Sequence, residues 1–305
     1  RFGLIVALLG MAVGTGNIWR FPRVMAANGG AAFLIPWLIF LFLWSVPLLM
    51  VEFSFGQRLR KGVIACFAAL SKGRYTWLGA FVVLCTLGIM FYYSVVTGWC
   101  LYYFIHSLSG RLFESPPQIF WENFVKLSNQ PLAYYLIALS LCFCIIARGV
   151  RRGIEWVSCV MIPSLFVIMT VLAVYALMQE GRDAGLEFMF NPDFSRLKDY
   201  KTWLEALTQS AWSTGAGWGI ALSYACYSRS NDDPVLTPFT TGLGNNSIEL
   251  IAALAIIPTL FAFFPLPEIV KLTSARNTGL TFISLPGLFQ KLPGGQMVAS
   301  LFFLA

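Results

Sequence analysis

Apolar stretches of membrane-crossing length follow one another along nearly the whole chain. A transmembrane α-helix needs about 20 consecutive, mostly apolar residues, and in lipid its backbone groups must bond to one another. Of the 305 residues, 58% are hydrophobic and only 11% are charged, well below the charged share of a soluble domain. The sequence therefore predicts an all-α membrane protein. Eight segments have the required length: residues 2–26, 31–56, 77–107, 132–149, 154–178, 202–228, 240–264 and 279–305.

The charged residues indicate how these segments are oriented. The loops after the second and fourth segments are basic and contain Arg58, Lys61 and Arg152, whereas the loops after the third and fifth are mixed in sign. Short cytoplasmic loops carry the excess of Lys and Arg, so the N-terminus is predicted to be cytoplasmic. Because the net charge of +7 arises mainly in such loops, it indicates membrane topology and no nucleic-acid partner.

Two segments contain glycines that an ordinary membrane helix does not need. Gly10, Gly14 and Gly16 precede Asn17 in the first segment, and the sixth contains a second run at 215–219. Glycine costs about 1 kcal/mol relative to alanine inside a helix. The spacing of Gly10 and Gly14 also fits a close helix–helix contact face. The second run, in the sixth segment, favours two interrupted helices, which are typical of transporters built from inverted repeats.

Interrupted helices provide backbone atoms as ligands. Freed carbonyl oxygens suit a small hard cation, and the N–H groups at the start of a half-helix carry partial positive charge that suits a carboxylate. Unwound backbone at this depth occurs only where protein buries it or where it lines a cavity. The two glycine runs therefore predict a mid-membrane site that could bind a zwitterionic amino acid together with Na⁺.

The residues around the first interruption resemble the first-helix signature of the neurotransmitter:sodium symporter family, whose bacterial amino-acid transporters include the leucine transporter. The signature runs from Gly10 to Pro22 and continues as Asn28-Gly29-Gly30-Ala31-Ala32-Phe33. The resemblance extends through nearly the whole chain, at residues 47–57, Tyr92-Tyr93 with Trp99, 209–224, 245–249 and 287–295.

This resemblance implies a fold of twelve spans with a five-plus-five inverted repeat and broken first and sixth helices. About eight of those spans would lie within residues 1–305, as a single transmembrane transporter domain. The first repeat would cover about 1–178, and part of the second about 202–305. The apolar run that stops at Ala305 leads us to expect further residues in the whole protein.

The resemblance also implies two sodium sites, built largely from oxygens of the two broken helices. The first would use one backbone carbonyl, two amide side chains and one serine, with the substrate carboxylate completing the shell: Ala12, Asn17, Asn245 and Ser213. The second would use the carbonyls of Gly10 and Val13. Its remaining ligands are expected beyond the end of this sequence.

For the substrate carboxylate, the resemblance implies contacts with N–H groups near Thr15 and Gly16 and with the hydroxyl of Tyr93. For the substrate amine, it implies contacts with carbonyls near Ala12 and Trp212. Trp212 and Tyr93 would also form an aromatic lid. The implied side-chain pocket is apolar and consists of Met11, Ile89, Trp212, Gly215 and Trp218.

Position 14 bears on the class of substrate. Family members that carry monoamines have an aspartate there, which pairs with the amine of a substrate lacking a carboxylate. This chain has Gly14. Together with the apolar and aromatic pocket, the resemblance implies a neutral amino acid that is hydrophobic or aromatic.

Charged residues inside membrane segments are costly and usually functional. Glu249 occupies the position at which chloride-dependent relatives have a small polar residue, so that with Gln209 it implies an anion-site substitute and chloride independence. Trp37 stands where the family's anion site usually has a tyrosine. Glu52 is expected to brace unwound backbone. By resemblance, Arg20 is the cation of an external gate.

These features together predict a Na⁺-coupled amino-acid symporter that works by alternating access in the cell membrane, and we expect that membrane to be a bacterial inner membrane. The alternative is a sodium-independent exchanger or a substrate-sensing homologue of the same fold. A membrane-embedded enzyme is not indicated, because the chain has one histidine and neither an H-E-x-x-H nor a G-x-S-x-G pattern. A channel would need a continuous polar pore, whereas these interruptions lie at one depth.

Overall fold

A computed structural model describes residues 2–14, 16–126, 129–229, 231–269 and 279–304, and within these ranges the chain is helical without β-strands. Thr15, one of the predicted substrate contacts, lies outside the described residues. The α-helices are α1 (Phe2–Ala12), α2 (Phe21–Ala27), α3 (Ala31–Phe40), α4 (Val46–Leu59), α5 (Val63–Leu70), α6 (Thr76–Leu108), α7 (Pro117–Lys126), α8 (Gln130–Ala147), α9 (Trp156–Leu177), α10 (Arg182–Phe190), α11 (Tyr200–Thr214), α12 (Ile220–Ala225), α13 (Leu236–Phe263), α14 (Leu285–Phe289) and α15 (Gly295–Leu304).

Five helices are long and apolar enough to cross a membrane, and a sixth span results if the bent pair Gly3–Ala12 and Gly16–Ala27 is counted as one. Together they match the first, second, third, fourth, fifth and seventh predicted segments. The five are Ala31–Leu59, Thr76–Leu108, Gln130–Ala147, Arg152–Leu177 and Leu236–Phe263. The sixth predicted segment is divided between α11 and α12, and the eighth between α14 and α15.

The first interruption separates α1 from a π-helical turn, Gly16–Arg20, that continues into α2, and the helices on its two sides, Gly3–Ala12 and Gly16–Ala27, are bent by 53°. The last helical bond of α1 runs from the Val13 N–H to the Leu9 carbonyl. The next N–H, that of Gly14, donates instead to Oδ1 of Asn17 at 2.9 Å. The Gly10 carbonyl therefore loses the donor that an uninterrupted helix would give it.

The second interruption separates α11 from α12 and depends on glycine. Gly215, Gly217 and Gly219 have φ angles of +67°, +90° and +72°, a region that residues with a Cβ rarely enter. Glu52 Oε1 accepts hydrogen bonds from the N–H groups of Gly217 at 2.7 Å and Gly219 at 3.3 Å. Thr86 donates to the Trp218 carbonyl at 2.8 Å. These bonds confirm the predicted bracing role of Glu52.

The central element of the bundle is α13, which packs against α1, α2, α4, α9 and α10. In the most apolar window of α13, 61% of the residues are buried, compared with 11% in α6 and 6% in α8. The apolar side chains of α6 and α8 are largely exposed in this structure, whereas α13 carries buried polar groups into the centre of the bundle. This arrangement places Asn245 and Glu249 beside both interruptions.

We expect Gly56→Ala to destabilise the bundle. A Cβ on Gly56 of α4 would lie 2.1 Å from the Leu222 carbonyl oxygen of α12. The two helices would have to separate, at a cost of about 1–3 kcal/mol, and the midpoint of thermal unfolding in detergent would fall. Gly88→Ala on α6 is the control, because a Cβ there meets nothing within 4 Å. Equal midpoints for the two variants would contradict this packing.

Candidate binding site between the interrupted helices

The two interruptions face each other across the centre of the bundle. A Cβ on Gly215, at the end of α11, would lie 3.7 Å from the Met11 methyl group near the end of α1. A Cβ on Gly16, where the chain resumes, would lie 3.8 Å from Trp212 Nε1. The predicted pocket residues Met11, Trp212 and Gly215 and the predicted carboxylate contact Gly16 are therefore neighbours. The end of α1, the restart of the chain at Gly16 and the end of α11 therefore lie close together.

The predicted ligands of the first sodium site converge on the side chain of Asn245. Its Oδ1 position lies 2.8 Å from Asn17 Nδ2, 3.2 Å from the Ser213 carbonyl oxygen and 3.3 Å from the Ala12 carbonyl oxygen. Its Nδ2 donates to the Ser213 hydroxyl at 3.1 Å. All four residues are buried. Amide, hydroxyl and carbonyl groups thus lie within hydrogen-bond distance of one another in a buried place, and their oxygens are ligands of the kind that a small hard cation prefers.

The two residues predicted for a second sodium site lie on the other side of α1. Gly10 and Val13 line a cavity of about 340 Å³ between α1 and α9, together with Ser158 and Ser164. The Gly10 carbonyl has lost its helical donor, and the Ser158 hydroxyl lies 2.9 Å from the place where a Gly10 Cβ would be. This cavity therefore adds serine hydroxyls that sequence reasoning missed.

The predicted substrate contacts surround the start of the second half-helix. The Tyr93 hydroxyl lies 3.3 Å from the position of a Gly16 Cβ, and Ile89 is one turn before Tyr93 on α6. The rings of Trp212 and Trp218 meet edge to face with centroids 5.0 Å apart. The indole rings and the Tyr93 hydroxyl therefore lie beside the backbone N–H groups at the start of the second half-helix. This combination suits a ligand that carries an anionic group next to an apolar one.

A chain of hydrogen bonds joins the predicted external gate to the predicted anion-site substitute. Arg20 donates to Gln209 Oε1, and Gln209 Nε2 donates to Glu249. The other oxygen of Glu249 accepts from Trp37 Nε1 at 2.9 Å. Arg20 also lies over the Trp212 ring, 5.9 Å from its centroid. The fully buried Glu249 carboxylate thus accepts from both Gln209 and Trp37 and is linked to the Arg20 cation through the Gln209 amide.

Sequence reasoning missed three contributors to this region. Trp37 was noted as a departure from tyrosine, yet an indole N–H donates a hydrogen bond just as a tyrosine hydroxyl does. Thr86 and Ser158 are small polar residues in otherwise apolar helices, and only that local contrast could have identified them. Their partners come from helices distant in sequence.

Comparison with known proteins identifies a single family over the chain. The Sodium:neurotransmitter symporter family matches residues 1–123 and 125–305. An uncharacterized sodium-dependent transporter of Methanocaldococcus jannaschii is 32% identical, covering 100% of this chain and 64% of that protein. The uncharacterized sodium-dependent transporter YhdH of Bacillus subtilis is 33% identical, covering 100% of this chain and 66% of YhdH. The chain thus spans about two thirds of the length of these relatives.

A solved structure has the same fold. The crystal structure of MhsT in complex with L-phenylalanine superposes with a TM-score of 0.88 and 32% sequence identity, covering 99% of this chain and 68% of that one. This match confirms the predicted all-α transporter fold with interrupted first and sixth helices.

We expect Trp37→Phe to destabilise the protein through Glu249. Phenylalanine keeps most of the apolar contact but removes the N–H donor, which leaves a buried carboxylate oxygen without its hydrogen bond. Hydrogen bonds to charged groups contribute about 1.5–3 kcal/mol. The midpoint of thermal unfolding should therefore fall by several degrees. Trp44→Phe is the matched control, since Trp44 is 48% exposed. An equal fall of the unfolding midpoint in both variants would contradict a stabilising role of the Trp37–Glu249 hydrogen bond.

Proposed function

Because the chain belongs to the Sodium:neurotransmitter symporter family, we propose that the whole protein couples Na⁺ entry to uptake of a neutral, hydrophobic or aromatic amino acid. The observation that supports this proposal is that the residues expected at the first sodium site, Ala12, Asn17, Ser213 and Asn245, lie within hydrogen-bond distance of one another where the two interruptions meet. Each of these residues comes from an interrupted helix or from α13.

In this proposal the first Na⁺ is held by the oxygens around Asn245 and supplies positive charge for the substrate carboxylate. The chain's own residues orient that carboxylate through the N–H groups at the Gly16 end and the Tyr93 hydroxyl. Carbonyls near Ala12 and Trp212 accept from the substrate amine. Gly10 and Val13 contribute carbonyls to a second Na⁺ site in the cavity beside α9. Substrate and ion thereby depend on the same unwound backbone.

Gly14 supports a substrate that brings its own carboxylate. A Cβ at position 14 would lie 3.5 Å from the nearest Tyr93 ring atom, which is ordinary van der Waals contact. Space therefore exists for the first carbon of a side chain, and what the position lacks is a negative charge. The L-phenylalanine bound by MhsT is an amino acid of this class. The apolar groups of Met11, Ile89 and Trp218 would receive the substrate side chain.

We assign the chain to a multi-pass position in the cell membrane, with a cytoplasmic N-terminus, in a bacterial inner membrane. Residues 1–178 would form the first repeat and residues 202–305 part of the second. Each repeat would contain one of the two interrupted helices. Alternating access would then tilt the elements that contain them against the remaining scaffold.

The central test is sodium dependence of binding. The purified whole protein should bind L-phenylalanine or a related neutral amino acid more tightly in Na⁺ than in K⁺, measured by equilibrium binding of labelled substrate. Asn17→Ala removes a first-site oxygen and should weaken the apparent Na⁺ affinity about tenfold or more. Ser247→Ala is the control, because this exposed hydroxyl bonds within its own helix. Equal binding in Na⁺ and K⁺ would instead support the sodium-independent alternative.

We also expect transport that does not require chloride. Glu249 already provides a fixed negative charge, so uptake into proteoliposomes should be the same in chloride and in gluconate. Glu249→Ser removes that charge beside Gln209 and Trp37, and uptake by this variant should become chloride-dependent. Loss of uptake by the wild-type protein in gluconate would contradict the role assigned to Glu249.

A further inference from the structure

One face of α6 passes both interruptions. Four of its residues lie on that face because they follow one another at spacings of three or four residues: Val82, Thr86, Ile89 and Tyr93. The Tyr93 hydroxyl lies 3.3 Å from the place where a Gly16 Cβ would be, and Val82 Cγ1 lies 3.0 Å from the corresponding place on Gly219. One end of this face therefore meets the first interruption and the other end meets the second.

The Thr86 hydroxyl joins this face to the second interruption. It lies 2.8 Å from the Trp218 carbonyl oxygen and 3.0 Å from the Val82 carbonyl oxygen of its own helix, and it has one hydrogen to donate. Inside α6 the Val82 carbonyl already accepts the Thr86 N–H, as in any α-helix. Trp218 lies between α11 and α12, outside both helices. The hydroxyl therefore replaces a helical donor for the Trp218 carbonyl.

The backbone around Trp218 is held from two helices. Trp218 stands between Gly217 and Gly219, whose φ angles of +90° and +72° lie in a region that is open mainly to glycine. Such a segment has little conformational restraint of its own. Glu52 accepts from both glycine N–H groups, at 2.7 Å and 3.3 Å, and so holds the segment from α4. Thr86 holds it from α6, so that the two side chains together fix the peptide from which the Trp218 indole projects.

Thr86 lies at the end of the expected pocket that is far from the carboxylate. Along α6, Ile89 precedes Tyr93 by about 6 Å and Thr86 precedes Tyr93 by about 10 Å. The ring of Trp218, whose carbonyl Thr86 holds, meets the Trp212 ring edge to face at 5.0 Å. If the carboxylate lies at Tyr93, a substrate side chain passes Ile89 before it reaches Trp218. A short side chain ends before that point, and a long one contacts the indole.

We propose that Thr86 is a positioning residue that sets the length of the substrate side-chain pocket by holding Trp218, and that it thereby makes the site selective for long apolar side chains over short ones. This inference rests on the proposed function, since it concerns the same substrate site. Thr86 does not touch the substrate. It acts through the Trp218 peptide, because a displaced peptide would withdraw the indole from the end of a long side chain.

Replacing Thr86 should change the affinities for long and short substrates unequally. Thr86→Val keeps the shape of the side chain and removes the donor, so the affinity for L-phenylalanine should fall about tenfold. The affinity for L-valine should change little, since its side chain ends before Trp218. Thr86→Ser keeps the hydroxyl and should retain the wild-type ratio of the two affinities. Thr170→Val is the matched control, because this exposed threonine of α9 donates within its own helix.

The experiment measures equilibrium binding of labelled L-phenylalanine and of labelled L-valine to the purified whole protein at saturating Na⁺. A second readout, taken without substrate, is the Na⁺ concentration that half-saturates the rise in the thermal unfolding midpoint. This concentration should be the same for all variants, because Thr86 is not among the residues expected at the sodium sites. A general loss of structure would instead lower both substrate affinities together.

A selective loss of L-phenylalanine affinity in Thr86→Val, with Thr86→Ser and Thr170→Val like the wild type, would support the inference. Equal losses of both affinities, no loss, or the same selective loss in Thr86→Ser would overturn it and leave the proposed function standing. A wild-type protein that binds neither amino acid more tightly in Na⁺ than in K⁺ would overturn the proposed function itself. If Thr86→Val does not fold, Thr86→Cys decides by the same comparison, because a thiol is a weaker donor than a hydroxyl.

Discussion

The structure depends on satisfying backbone hydrogen bonds where two membrane helices are interrupted. In hydrocarbon an unpaired N–H or carbonyl costs several kcal/mol, so unwound backbone persists only if other groups take the place of the helical partners. At the second interruption Glu52 and Thr86 do this for Gly217, Gly219 and Trp218. At the first, the side chain of Asn17 accepts from Gly14. Carbonyls that remain without donors become available to a cation.

The same requirement explains why polar residues concentrate on α13. This helix is the most buried of the five long spans, so amides and a carboxylate can be buried among partners from the π-helical turn Gly16–Arg20, α3 and α11. Asn245 meets Asn17 and Ser213, and Glu249 meets Trp37 and Gln209. A peripheral helix such as α8, with few buried residues, could not hold these groups at comparable cost.

The sequence predicted the two interruptions well, because glycine runs and the adjacent Asn17 are local signals with a direct physical meaning. The family resemblance then brought Asn17, Ser213 and Asn245 into one predicted site, and the structure places them in contact. Trp37 and Thr86 could not be predicted in the same way. Each has an ordinary identity for its helix, and its importance follows from which atom of a distant helix it meets. That information is tertiary.

The facing positions of α11 and α13 form two levels, one turn apart. Ser213 pairs with Asn245 at one level, and Gln209 pairs with Glu249 at the next, since both pairs are four residues apart on their helices. Four residues correspond to about 6 Å along a helix. In the function we propose, a Glu249 charge at this distance would favour a cation at the Asn245 level, while Gln209 connects Glu249 to Arg20. A shift of α11 along α13 would disturb both levels together, so in the proposed function ion binding and the position of Arg20 would depend on the same helix contact.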